Sequence, residues 1–98
     1  MAKLDKIIHE RARLRIVTFL ASRGQQPVSF NEIQEKLEFT SGNLSIQLKK
    51  LKGTGYVDIH KTFRNNKPYT TISLTQTGSE ALLKYIDEME EIIGALKQ

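Results

Sequence analysis

The sequence predicts a mainly α fold with a small antiparallel β-hairpin: three helices, the hairpin and a long final helix. Three observations support this prediction. A leucine stripe at helical spacing lies near the middle of the chain, two alternating segments flank an Asn-Asn turn, and apolar residues recur as heptads near the end. With 98 residues, 39% of them hydrophobic, the chain can bury one core, so we expect a single domain over residues 1–98.

The first part of the chain is predicted to form two helices. Residues 4–22 have apolar positions on one side of a helix, and we expect the arginines among and after them to lie on a solvated face: Arg11, Arg13, Arg15 and Arg23. Ser29 is placed to cap a second helix over about residues 30–37, with Glu32 completing a capping box. A short turn to the third helix would make this pair a helix-turn-helix.

The third helix has one buried and one exposed face. Its leucines, at positions 44, 48 and 51, share one stripe, and the opposite face changes from small and polar to cationic along the helix. A helix that enters a DNA major groove needs this order, because short groups approach base edges while long cations reach phosphates. We therefore predict DNA contacts from Thr40, Ser41, Gly42, Asn43, Ser45, Ile46, Gln47, Lys49 and Lys50.

The next segment is predicted to be a hairpin with a two-residue turn at Asn65-Asn66. This turn sets a register in which Val57 faces Leu74, Ile59 faces Ile72, and Phe63 faces Pro68. The hairpin tip is cationic, and an arginine there can enter the minor groove. We predict further DNA contacts from Lys61, Arg64, Asn65 and Lys67.

A helix-turn-helix followed by such a hairpin is a winged helix, and the chain resembles short MarR/ArsR-type winged-helix transcriptional regulators. The resemblance is carried in order by RLRI (13–16), SGNLSIQL (41–48), Leu51, GYV (55–57), KPYT (67–70) and LTQTG (74–78). It implies a dimeric, DNA-binding repressor or activator. Relatives often carry histidine at the position of Gln47 and proline at that of Arg11, which leaves open the DNA sequence preference and the start of the first helix.

The last segment, residues 75–98, is predicted to be a dimerisation helix capped by Thr75. Its apolar residues step by four and three and exceed what so small a body can cover, although packing on the chain's own first helix is an alternative. The expected homodimer interface comprises Leu4, Ile7, Ile8, Leu82, Leu83, Ile86, Met89, Ile92, Ile93 and Leu96. A two-fold dimer would require a palindromic operator in double-stranded DNA, with half-sites about 10 bp apart.

The charge is unevenly distributed: residues 39–67 carry a net +5 and residues 75–98 a net −3, so the acidic end should point away from DNA. No catalytic triad, phosphate-binding glycine loop or HExxH motif is found, and we predict no enzyme activity, cofactor or metal site. The absence of cysteine and of a long apolar run indicates a cytoplasmic protein without membrane attachment. Two alternatives stay open: a protein-interaction module and a non-specific nucleic-acid binder. An unknown small-molecule effector between the terminal helices is also conceivable.

Overall fold

The computed structural model describes residues 3–97, which form four helices and three strands. In chain order these are α1 (Arg11–Ser22), β1 (Val28–Ser29), α2 (Phe30–Leu37), α3 (Ser41–Gly53), β2 (Val57–Arg64), β3 (Lys67–Leu74) and α4 (Gln76–Leu96). The strands make an antiparallel sheet in the order β1-β3-β2. The predicted fold class, a helix-turn-helix followed by a hairpin and a long terminal helix, is confirmed.

Side-chain caps begin α2, α3 and α4, and those of α2 and α4 stand at the predicted positions. The hydroxyls of Ser29, Thr40 and Thr75 each accept a hydrogen bond from the backbone N–H three residues further on, at 3.0, 3.1 and 2.9 Å. Each of these bonds satisfies a backbone donor that has no partner within its helix. The predicted partner in the capping box of α2 acts differently, because the carboxylate of Glu32 pairs with the guanidinium of Arg23.

Helix α1 begins at Arg11, so the prediction that it starts at Leu4 was wrong. The carboxylate of Asp5 accepts hydrogen bonds from the backbone N–H groups two and three residues further on, at 2.8 and 3.1 Å. Such local bonds offer the backbone an alternative to a helix, and Glu10 then caps α1 separately. The resulting N-terminal turn buries Ile8 completely.

The N-terminal turn is fastened to the base of the hairpin by Asp5 and Tyr56, whose hydroxyl donates to the carboxylate at 2.5 Å. Burial by itself would raise the pKa of Asp5. The hydrogen bonds from Tyr56 and from the backbone of Ile8 and Ile7, together with the charge of Lys84, outweigh burial and lower this pKa. The bond to Asp5, burial and the carboxylate charge raise the pKa of Tyr56 to about 12. The pair is therefore ionised at Asp5 and protonated at Tyr56 near neutral pH.

The hairpin β2–β3, called the wing below, pairs in the predicted register: Val57 with Leu74, Ile59 with Ile72, Phe63 with Pro68 and Arg64 with Lys67. Asn65 and Asn66 both have positive φ, 54° and 62°, as a type I′ turn requires. Strand β1 pairs with the other edge of β3. The apolar face of the wing is buried at its base, whereas Phe63 near the tip is 75% exposed.

The core lies between α1, α2, α3, the sheet and the start of α4. Its most deeply buried members are Ile16, Val17, Leu20, Ile33, Leu44, Leu51, Val57 and Ile72. Full burial of one such aliphatic side chain is worth about 1.5–3 kcal/mol relative to its exposure. Because the leucine stripe of α3 faces this core, the opposite face of α3 is presented to solvent.

Helix α4 docks on the body mainly through its first half. An added Cβ at Gly78 would come within 2.2 Å of the carbonyl oxygen of Tyr56, so the helix approaches the backbone closely there. Leu82 and Tyr85 are buried, at 5% and 4% exposed, whereas every residue from 91 to 97 is exposed. The molecule measures 57 × 24 × 21 Å. The second half of α4 thus lies outside the core.

Candidate nucleic-acid interface

Helix α3 holds most of the predicted DNA-contact residues out to solvent. Gln47 is half-buried, and the remaining contacts predicted for this segment are exposed: Thr40, Ser41, Gly42, Asn43, Ser45, Ile46, Lys49 and Lys50. The order along the face is small and polar first and cationic last, as the sequence indicated. Thr40 also caps the helix, so its hydroxyl is already engaged on one side.

An open groove of about 800 Å³ separates α3 from the wing. Its lining combines apolar residues with three lysines: Phe30, Ser45, Leu48, Lys49, Lys52, Ile59, Lys61 and Thr70. Ammonium groups on both sides of a groove suit a phosphodiester chain, because cations that neutralise phosphates supply much of the affinity for DNA. Lys52 lies in this groove but was not among the predicted contacts, although its position one helical turn after Lys49 places it on the same side of α3.

The wing tip carries Arg64, Asn65 and Lys67, all exposed. The guanidinium of Arg64 lies over the ring of Tyr69, 4.8 Å from its centroid, a cation–π contact that orients the arginine. Phe63, beside it, exposes a phenyl ring, and apolar side chains of this kind are used against sugars and base steps in the minor groove. The sequence analysis assigned Phe63 only to the apolar face, although its place at the last pair before the turn put it at the tip.

Arg13 is buried, which corrects the prediction that the arginines of the first segment lie on a solvated face. Its side chain is 8% exposed, its Nε donates to the carbonyl oxygen of Ile7 at 2.6 Å, and its Nη1 donates to Oε1 of Gln47 at 2.9 Å. Nε2 of Gln47 in turn donates to Oδ1 of Asn43 at 3.1 Å. Gln47 and Asn43, both predicted to contact bases, are therefore hydrogen-bonded to each other, and Gln47 is also hydrogen-bonded to the buried Arg13.

Two other arginines brace the helix-turn-helix. Arg15 lies over the ring of Phe39, 5.2 Å from its centroid, and donates to the carbonyl oxygen of Leu37 at 2.7 Å. Arg23 lies over the ring of Phe19 at 5.0 Å, in addition to its pair with Glu32. Arg15 and Arg23 therefore stabilise the packing of the helix-turn-helix that positions α3.

The acidic residues of the last segment lie on α4, which packs on α1. Asp87, Glu90 and Glu91 are exposed, while Glu88 accepts a hydrogen bond from the backbone N–H of Lys3 at 3.2 Å. His9 contacts this helix too, with Nδ1 2.8 Å from the hydroxyl of Tyr85. Among residues 3–97 no group of three or more metal-binding side chains is found, and no helix is long and apolar enough to cross a bilayer.

The residues predicted for dimerisation are buried, half-buried or exposed in this chain. Ile8 and Leu82 are buried inside the chain, at 0% and 5% exposed, because the N-terminal turn and the body cover them; they offer no area to a partner. Leu4, Ile7 and Met89 are half-buried, and the others are exposed: Leu83 (61%), Ile86 (40%), Ile92 (39%), Ile93 (44%) and Leu96 (81%). A largely apolar groove with one charged residue of each sign runs between α1 and α4, and its lining is Leu14, Arg15, Thr18, Tyr85, Ile86, Met89, Glu90 and Ile93.

These features define a winged-helix protein with an exposed polar and cationic face on α3. The family model described as the winged helix DNA-binding domain matches residues 12–93, and the chain belongs to this family. An uncharacterised protein of Methanocaldococcus jannaschii is 34% identical over 87 residues, which make up 89% of this chain and 92% of that protein.

Two solved structures share the fold. A transcriptional regulator homologue from Pyrococcus horikoshii OT3 gives a TM-score of 0.84 at 29% identity, over 94% of this chain and 89% of that chain. A candidate transcriptional regulator of Thermoplasma acidophilum gives 0.67 at 21% identity, over 96% and 95%, a likeness in fold. Membership of this family confirms the predicted winged helix and confirms DNA as the partner. It also indicates a DNA-binding protein and not an enzyme. The MarR/ArsR subtype stays a prediction.

Proposed function

We propose that this chain is a sequence-specific transcriptional regulator that binds a palindromic operator as a homodimer. Helix α3 enters the major groove, and the wing contacts the flanking minor groove. The observation that carries the proposal is the exposed polar and cationic face of α3, which shares a groove with Lys61 of the wing, together with the exposed cations at the wing tip. The related Pyrococcus protein is likewise a transcriptional regulator homologue.

The charge of this surface suits a phosphate backbone. Its cations are Lys49, Lys50, Lys52, Lys61, Arg64 and Lys67, all exposed. Asp58, the single acidic residue between positions 39 and 67, alternates onto the opposite face of β2 from Lys61. If each of the six cations meets one phosphate, the slope of log K against log salt is about −5 per protomer.

The homodimer is proposed because the stripe of α4 continues beyond the part that the body covers. Ile86, Met89, Ile93 and Leu96 follow Leu82 along the same side of the helix, at steps of four and three. Leu82 is buried, whereas Ile93 and Leu96 are 44% and 81% exposed. Burial of several such side chains, at about 1.5–3 kcal/mol each, is of the size needed to offset association costs of about 4–15 kcal/mol. A second copy that packs α4 on α4, or on α1 of its partner, would cover them by two-fold symmetry.

A gel-shift titration tests the proposed function. A labelled operator, obtained by selection from random duplexes, should be retarded by the protein in excess unlabelled competitor, and the shift should weaken steeply as salt is raised. A retardation that random competitor removes completely would show a non-specific binder. Absence of retardation at low salt would favour a protein-interaction module.

A further inference from the structure

Arg13 is the single charged side chain among residues 3–97 that is buried, and neither the core nor the exposed recognition face accounts for it. Burial of a guanidinium costs free energy unless its N–H groups form hydrogen bonds, and those of Arg13 bind acceptors on two different elements. Nε binds the carbonyl oxygen of Ile7 in the N-terminal turn, and Nη1 binds Gln47 on α3. The buried cation therefore connects the N-terminal turn to the recognition helix.

The chemistry of this contact fixes the orientation of two amides on α3. A guanidinium carries only donors, so the atom of Gln47 that faces it must be the carbonyl oxygen. The amino group of Gln47 then points along the helix to Asn43, 3.1 Å away, which must answer with its own carbonyl oxygen. The outward groups are consequently the amino group of Asn43 and the second N–H of Gln47.

Two neighbouring donors fit one kind of base edge. In the major groove guanine shows two acceptors, O6 and N7, whereas adenine shows one acceptor and one donor. An amide reads adenine with both its oxygen and its nitrogen, and the oxygen of Gln47 is held by Arg13. A helix with this arrangement should accept guanine where an unrestrained glutamine would choose adenine.

We infer that Arg13 is a positioning residue for base recognition: from inside the fold it orients Gln47 and Asn43 as donors and so makes guanine the preferred base beneath them. The inference rests on the proposed function, since it assigns a base preference to the same recognition helix. Arg13 touches no DNA. It acts through the two amides, and its removal changes which base is chosen in addition to how tightly DNA is bound.

The test is selection of binding sites from random duplexes, followed by sequencing, with the wild type, Arg13→Lys and Arg11→Lys. The lysine at position 13 keeps the charge but lacks the planar fork, so Gln47 is released. At the positions that α3 contacts, the wild type should enrich guanine, and Arg13→Lys should reduce the preference for guanine over adenine about tenfold, the size of one bidentate contact. Arg11→Lys, exposed on the same helix, should return the wild-type profile.

A second variant serves if Arg13→Lys melts early in a thermal denaturation scan. Gln47→Glu keeps a partner for Arg13 but offers acceptors only, so the amide of Asn43 must turn its amino group inward and its oxygen outward. The preferred base under Asn43 should then change to one with a major-groove donor, cytosine or adenine.

The outcomes separate the two proposals. A wild type that enriches no sequence would overturn the proposed function and this inference with it. A wild type that enriches adenine at the contacted positions, or folded variants that keep its guanine preference, would overturn the role of Arg13 and leave the DNA-binding function standing.

Discussion

Helices α3 and α4 both carry an apolar stripe, but the body covers the two stripes differently. The stripe of α3 is entirely inside, with Leu44, Leu48 and Leu51 at 0%, 2% and 0% exposed. The stripe of α4 is covered at Leu82 and bare at Leu96, 5% and 81% exposed. What each helix leaves outside therefore differs in chemistry: mostly polar groups and lysines on α3, with Ile46 as its one large aliphatic side chain, and aliphatic side chains and carboxylates on α4. The first surface suits a polyanion, and the second suits another protein chain.

The largest effect should come from substitutions that prevent the exposed second half of α4 from packing on a partner chain. Ile86→Glu with Ile93→Glu should give a folded monomer, or an unfolded chain if the monomer is not stable alone, because carboxylates cannot be buried unpaired. Operator affinity should fall by about 10²–10⁴, the advantage of linking two binding modules. Sedimentation and gel shift measure the two results. The control, Thr77→Glu with Lys97→Glu, adds negative charge at two exposed positions outside the stripe, one in the first turn of α4 and one at its C-cap, and should remain dimeric.

The next effect is on the other surface. Lys49→Ala with Lys50→Ala should weaken binding to all DNA sequences alike, because these ammonium groups are expected on phosphates. The slope of log K against log salt should flatten by about two units per protomer. Gel shifts at several salt concentrations measure this slope. Lys97→Ala, at the C-cap of α4, removes a cation from the other surface and should leave the slope as it is. An equal change in both variants would mean that α3 is not the DNA-reading element.

Two glycines of α4 should respond oppositely, because one half of this helix is packed and the other is not. Gly78→Ala places a Cβ 2.2 Å from the carbonyl oxygen of Tyr56 and should lower the free energy of unfolding by about 1–3 kcal/mol. The Cβ added by Gly94→Ala would meet no other atom within 4 Å. This substitution should raise the free energy of unfolding by up to about 1 kcal/mol through helix propensity. Urea denaturation measures both. Equal changes of the same sign would contradict the close approach at Gly78.

At the wing, Arg64→Ala should reduce affinity several-fold and reduce the preference for A·T-rich flanks, where the narrow minor groove attracts arginine. The cation–π contact with Tyr69 should make Tyr69→Leu a weaker form of the same change, because the arginine is then present but less well oriented. Footprinting on operators with A·T-rich and G·C-rich flanks measures the preference. A protected region of unchanged length after Arg64→Ala would count against wing contact.

The smallest effect concerns the N-terminal turn, which contacts both the base of the wing and α4. Tyr56→Phe should cost about 1 kcal/mol of stability at neutral pH, the value of one hydrogen bond. Because the pKa of Tyr56 is raised from 10.0 to about 12, its contribution is complete below pH 10 and disappears as pH rises toward 12. The pKa of Asp5 is lowered from 3.8, so its contribution is complete above that value and is lost as pH falls through the lowered pKa. Denaturation of wild type and variant at pH 7 and at both extremes should show the difference shrinking at each end.

The fold was predictable where the signals are local. The register of the wing followed from Asn65-Asn66 and the alternation on each side, and the caps at Ser29 and Thr75 followed from their side-chain oxygens. The start of α1 was not predictable from periodicity, because the competing bonds of Asp5 to its own backbone leave the apolar spacing unchanged.

The candidate nucleic-acid interface was predictable only in outline. The exposed face of α3 and the cations of the tip were found from the sequence, since helical and strand periodicity place them. The burial of Arg13 was missed although its spacing signals it, since Ile16, Val17 and Leu20 follow it at i+3, i+4 and i+7 on the buried face of α1. What periodicity could not show is its partner, because Gln47 is 34 residues away in the chain. The groove that adds Lys52 likewise depends on how α3 packs against the wing.

Selection of operator sequences from random duplexes by the wild-type protein tests the central claim most directly. If α3 reads DNA and α4 joins two copies, the enriched sites should be inverted repeats with half-site centres about 10 bp apart, one turn of the duplex. Their spacing should vary little, because a two-fold dimer fixes the separation of the two α3 helices. Enrichment of a single half-site without a repeat would contradict the dimer, and recovery of no preferred sequence would contradict the reading of DNA by α3.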